Sequence, residues 1–169
     1  IKTGYNGPIL GTKPTLDIAK IILLDSAKIH EEEAERANKE GYSKHEPAEP
    51  LYTIKDAEKA IGHFKVVPEG EAVELSEDTS AKWHCNGHII GSTFIELTIK
   101  GEVFVFSGDV GRKTDFLMRP PKRPTRADYL FVESTYGDRL HPSDDLKEQL
   151  KQTVLNTIEK GGSLIIPSF

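Results

Sequence analysis

A single cysteine, Cys85, stands in the 169 residues, so no disulfide can form within the chain. That scarcity points to a reducing compartment. No apolar run approaches the roughly 20 residues that cross a bilayer. Basic residues are outnumbered, 22 against 27 acids, and the net charge of -5 excludes a histone-like nucleic-acid binder held by overall charge. A local basic surface stays open. The first residue is Ile1 rather than Met, and Phe169 follows directly on a strand-like run. The expectation is a segment of a longer protein, with chain enough for one core or for parts of two. The missing start leaves a signal peptide open.

What is present reads as mixed helix and strand. Thr12-Lys13-Pro14-Thr15 opens a helix, with Thr12 or Thr15 as cap and Pro14 in the first turn. Leu16, Ala19, Ile22, Leu23 and Ala27 recur at helical spacing, the pattern turns polar after His30, and Gly41 stops it. Residues 42–50 read as a loop. Thr53 caps a short helix to about Gly62. Val66-Val67 and the run from Ala72 to Leu75 predict short strands, as does Tyr129 to Val132. A helix is expected from about Ser143 to Lys160, then a buried strand over Leu164 to Ile166. His30, His45 and His63 read as solvated, and Trp83 as packing.

The stretch "WHCNGHIIGS" puts His84, Cys85 and His88 within five positions. Thr93 to Ile99 alternates apolar and polar, Lys100-Gly101 turns, and Glu102 to Phe106 runs back as a hairpin. In that register Phe94 opposes Ser107, and Ser92 opposes Asp109. An imidazole (His88) and a carboxylate (Asp109) therefore reach one sheet edge on glycine-rich loops. Zinc takes such nitrogen and oxygen donors, but a catalytic zinc needs about three protein ligands, and a histidine in a loop is more often an ordinary surface residue. Cys85 and His88 make half of a zinc finger with no second pair. Nothing beside Cys85 would activate it as a nucleophile. From Arg112 to Arg126 the chain carries Arg112, Lys113, Arg119, Lys122, Arg123 and Arg126 against Asp115 alone. This is either a solvated proline-rich loop or a phosphate-steering rim, starting three residues after Asp109.

"NGHIIGS", "FSGDVGR", "ADYLFVESTYGDRLH" and "GGSLIIPSF" together resemble, in order and spacing, the metallo-β-lactamase-fold nucleases that carry a β-CASP domain. "YNGPILGTKPTLDIAKIILLDSAKIHEEEA" and "LYTIKDAEKAI" resemble the group's bacterial and archaeal members. The resemblance spans essentially the whole chain. It implies an α/β (α+β) fold: part of the αβ/βα sandwich of the metallo-β-lactamases over residues 1–137, running into the start of a β-CASP domain over 138–169. It implies a zinc-dependent phosphodiesterase that processes RNA. His88 would bind one of two zincs, Asp109 would bridge both, and Glu133 would hold a downstream histidine that assists cleavage. His141 would face the RNA path beside Arg112, Lys113, Arg119, Lys122 and Arg123. The implied partner is RNA, with a homodimer allowed, no membrane, and a cytoplasmic location.

The chain departs from that pattern. The family's HxHxDH motif and its C-terminal histidines are not among these residues. Asn86 stands where many members have alanine, an exchange that reads as harmless. Two rivals remain: a small-molecule hydrolase of the same fold, which would lack "ESTYGDRLH", and a non-catalytic scaffold that keeps the fold.

Overall fold

The computed structural model describes residues 2–140 and 145–167; His141 lies outside them. The described chain packs as two compact units, one ending at Glu133 and the other beginning at Ser134.

In the first unit, β1 (Ile9–Gly11) runs into α1 (Lys13–Glu40). Thr12 is the cap residue, with Pro14 in the first turn, but its hydroxyl pairs with that of Thr15 at 2.6 Å rather than with a backbone N–H. Gly41, at φ 69°, ends α1 by donating its N–H to the Ala37 carbonyl. The helix buries only Leu16, Ala27, Ala34 and Ala37; Ile21 and Ile22 face solvent. Against it packs α2 (Ile54–Ile61), opened by a reciprocal capping box between Thr53 and Asp56. β2 (Phe64–Val66) then pairs in parallel with β1.

The second sheet has the order β3 (Val73–Ser76), β4 (Thr79–Cys85), β5 (Thr93–Ile99), β6 (Glu102–Phe106), β7 (Tyr129–Phe131). All its neighbours are antiparallel except β6 and β7. The β5–β6 hairpin keeps the expected register from Ile99↔Glu102 to Ile95↔Phe106. Lys100 and Gly101 both take positive φ, as a two-residue hairpin turn of the primed type demands. Stacked pairs Phe104–Tyr129 and Phe106–Phe131, with ring centres 4.6 and 4.7 Å apart, join β6 to β7.

Alternation along β4 sends Ala81, Trp83 and Cys85 to one face, all buried. There Ala81 and Trp83 cluster with Val67, and Leu10, Ile95 and Leu97 pack around them. On the other face Phe94, Val103 and Val105 form a smaller cluster. His84 shares that face: it stacks on Phe94 at 4.8 Å, and its Nε2 is buried with no hydrogen-bond partner among the described residues. Burial holds its pKa below the ordinary histidine range, so the ring is neutral at neutral pH.

In the second unit α3 (Leu146–Glu159) starts at Asp145, whose carboxylate accepts from the Lys147 and Glu148 N–H groups. No residue of α3 is buried. The strand expected over Leu164 to Ile166 is not formed, and these side chains are exposed. A strand satisfies its backbone through a neighbour, and among the described residues this unit holds no other strand to pair with. Two strands, β1 and β4, form where none was expected, and β2 begins two residues before the expected Val66. His63 is half-buried, with Nδ1 3.1 Å from the Gly7 carbonyl, and so is less solvated than expected.

Trp83 is 6% exposed at the centre of the main cluster. Trp83→Ala should cost about 3–5 kcal/mol, because the cavity adds to the lost transfer energy. Thermal unfolding measures it; a loss below about 0.5 kcal/mol would remove Trp83 from the core.

Candidate functional site

The sheet topology decides which loops meet. Parallel β6 and β7 point the same way, so their C-terminal ends emerge side by side. Antiparallel β4 ends at the same edge, where β5 begins. From those ends project Asn86 to His88, Ser107 to Asp109, and Val132-Glu133. His88, Asp109 and Glu133 are thereby gathered from distant parts of the sequence.

The turn carrying His88 is closed by its own polar atoms. Ser92 Oγ accepts from the N–H groups of His88 and Ile89, at 3.1 and 3.0 Å, and donates to the Ile89 carbonyl. Gly91, at φ 82°, lies against the first turn of α1, where Thr15 Oγ1 donates to its carbonyl. A Cβ on Gly91 would come within 2.6 Å of the Pro14 carbonyl carbon, so only glycine fits.

Asn86 ties this turn to the loop after β6. It is 2% exposed, and its Nδ2 donates to the Ser107 carbonyl at 3.0 Å. Its Oδ1 faces the His88 N–H at 3.4 Å. Its own carbonyl accepts from the Gly111 N–H at 2.8 Å, so both loops are held at one buried side chain. The position that read as harmless is thus a brace; an amide side chain directly before the Gly87-His88 turn is the sequence signal that could have shown it.

The outcome is a half-exposed His88 with Nε2 3.8 Å from Oδ2 of the exposed Asp109. Two ligands each about 2.1 Å from a zinc at the tetrahedral angle stand roughly 3.4 Å apart. The pair therefore fits one edge of a zinc shell. It fits no more than that: among the described residues no group of three His, Cys, Asp or Glu side chains could hold a metal. Glu133 is adjacent, its Oε1 accepting the Val110 N–H at 2.9 Å while its own N–H donates to Ser107 Oγ. Its carboxylate thus steadies the residue after Asp109. His84 and Cys85 lie on β4, within the packed sheet.

Parallel pairing of β6 and β7 also requires a long crossover. That crossover is the basic run. Arg119 and Lys122 both engage Glu69, at 3.0 and 2.8 Å, and Arg126 engages Asp128 at 2.7 Å. Lys113, Lys122 and Arg123 stand beside Asn86 and Ser107 in a cleft of about 500 Å³ whose lining is otherwise apolar, with Phe94, Val105, Leu130 and Val132 among it. Glu69 was invisible as a site residue, since it meets its partners across 50 and 53 positions of sequence.

No family model matches the chain. Individual proteins do. It is 30% identical to ribonuclease TTHA0252 of Thermus thermophilus over 169 residues, 99% of this chain and 35% of that protein. It is 31% identical to transcription termination factor FttA of a Lokiarchaeum species over 172 residues, 98% of this chain and 25% of that protein. Endoribonuclease YSH1 of Eremothecium gossypii is 28% identical over 170 residues, 99% of this chain and 21% of that protein. The chain thus spans about a third or less of the length of these relatives.

Asn86→Asp tests the brace. It keeps the volume but sets a carboxylate oxygen against the Ser107 carbonyl, in place of a donor. Stability should fall by about 1–3 kcal/mol, the cost of a buried unsatisfied polar group, read by denaturant unfolding. An unchanged midpoint would show that the two loops hold without Asn86.

Proposed function

The chain belongs to the β-CASP family of metallo-β-lactamase-fold RNA nucleases, and on that premise we propose that it forms part of a zinc-dependent ribonuclease acting in RNA processing. Residues 1–137 are part of the metallo-β-lactamase domain, and 138–169 begin the β-CASP domain. The observation that carries the reading is the approach of His88 to Asp109 at the sheet edge where β4, β6 and β7 end. His88 and Asp109 would hold metal, and the remaining ligands would come from the family's HxHxDH motif and C-terminal histidines, which are not among these residues. Bound zinc lowers the pKa of a water toward neutrality and stabilises charge on the phosphate.

The chain's own groups do the rest. Asn86 and Ser92 fix the His88 turn, so the imidazole is presented without a reorganisation cost. Glu133 orients a proton-donating histidine of the β-CASP domain. The basic crossover offers positive charge to RNA phosphates beside the metals: Arg112, Lys113 and Arg123 supply it, while Arg119 and Lys122, paired with Glu69, set the loop that carries them. No helix among the described residues is long and apolar enough to cross a membrane. A cytoplasmic location and RNA as the partner accord with the reading.

In the full-length protein Asp109→Ala should abolish RNA cleavage and lower metal content together, because a bridging carboxylate serves both ions. Metal analysis beside an RNA digestion assay decides it. Near-normal cleavage with two bound metals would remove Asp109 from the site.

Glu133→Gln should instead lower cleavage while zinc is retained. Amide and carboxylate are alike in size, but only the carboxylate supports the charged form of a partner histidine. Loss of metal along with activity would make Glu133 part of the metal shell.

A further inference from the structure

The basic crossover does not present all its cations alike. Arg119 Nη2 and Lys122 Nζ each take one oxygen of the Glu69 carboxylate. Arg112, Lys113 and Arg123 are exposed and form no ion pair among the described residues. Glu69 is itself anchored: it bridges to Trp83 on β4, and the Gly70 N–H donates to the Trp83 carbonyl at 2.8 Å. The loop has a second anchor in the Lys122 N–H, which donates to the Cys85 carbonyl at 3.0 Å. Between the two anchors the loop lies directly on Gly87. A Cβ there would stand 2.5 Å from the Arg119 carbonyl oxygen and 3.1 Å from the Pro121 nitrogen. Gly87 is the residue before His88. The loop is therefore clamped onto the turn that presents the imidazole.

We propose that Glu69 is a positioning residue for RNA: it takes up Arg119 and Lys122 and seats the crossover on the His88 turn, so that Lys113 and Arg123 meet the phosphates. The inference rests on the RNA-nuclease reading above. Lys113, Lys122 and Arg123 are the charged members of a largely apolar cleft that also includes Asn86 and, from the loop carrying Asp109, Ser107 and Val110. The Glu69 carboxyl is held below its ordinary range, first by the Lys122 ammonium and then by Arg119, so the clamp is charged at neutral pH. It opens only in acid, as pH falls through that lowered value.

The sign of the effect separates positioning from simple charge. An acid within a basic surface repels phosphate, so on charge alone its removal would strengthen RNA binding and free two cations for it. Positioning requires the reverse. The experiment uses the full-length protein and a short labelled single-stranded RNA, with cleavage blocked by chelation, and reads anisotropy across a salt series. Glu69→Gln should weaken binding about fivefold or more, and Glu69→Asp should recover most of the loss. Lys113→Ala and Arg123→Ala should each flatten the slope of log affinity against log salt by about 0.7. In cleavage assays with metal present, the Glu69→Gln effect should fall on KM more than on kcat. If Glu69→Gln folds poorly, Lys122→Ala breaks the same clamp and should weaken binding without flattening the slope. Equal or tighter binding by Glu69→Gln with a steeper slope would overturn the inference and leave the nuclease reading standing. A wild-type protein with no salt-dependent affinity for RNA would overturn both.

Discussion

One buried side chain governs the geometry of the site. Asn86 has its backbone carbonyl, its amide nitrogen and its amide oxygen turned toward three different segments: Gly111, Ser107 and His88. Loops that leave a sheet edge diverge unless something spans them, and glycine-rich loops diverge most easily. An alanine here would be tolerated by volume, but it would leave the Ser107 carbonyl without this donor. The approach of His88 to Asp109 depends on that brace more than on any contact between the two side chains, which are both solvated and stand 3.8 Å apart.

Topology supplies the second constraint. Antiparallel strands need only a tight turn, as Lys100-Gly101 provides, whereas the parallel step from β6 to β7 obliges the chain to cross over. Here no helix makes that crossing. A proline-rich segment does, and with it the positive charge is carried back across the ends of the strands. The acid at the start of the crossover, Asp109, and the acid just past β7, Glu133, are brought to one edge by the same step. A sheet with β7 antiparallel to β6 would have put Glu133 at the opposite end from Asp109.

Much of this was legible in the sequence, and the reason differs by element. The β5–β6 hairpin was readable because period-two alternation and a Lys-Gly turn fix one register, and that register alone aligned the His88 and Asp109 loops. α1 was readable from its helical spacing and from Gly41 at its end, although the Thr12 hydroxyl does not cap the backbone as expected. β4 alternates too, in "TSAKWHC", but both of its faces are packed, and His84 becomes comprehensible only once it stacks on Phe94. The expected strand at Leu164 to Ile166 shows the converse. Its apolar run is right for a strand, but a strand exists only in a pair. Glu69 lay beyond any local reading, because nothing near it in sequence distinguishes it from the other acids of an acidic chain.

The charge arrangement joins these points. Asp109 has to remain an accessible carboxylate if it is to bind metal, and it sits three residues before a run of cations on a mobile type of side chain. A lysine or arginine settling on Asp109 would compete directly with a cationic ligand. The sheet offers those cations other carboxylates: Glu69 for Arg119 and Lys122, Asp128 for Arg126. Among the described residues no lysine or arginine pairs with Asp109, whose ionisable neighbour is the His88 ring. Asp128 is fixed in turn, since its carboxylate also accepts the Val103 N–H at 2.8 Å. The net negative charge of the chain is therefore not opposed to a phosphate-facing surface. Part of it is spent holding basic side chains away from the one carboxylate that must stay open.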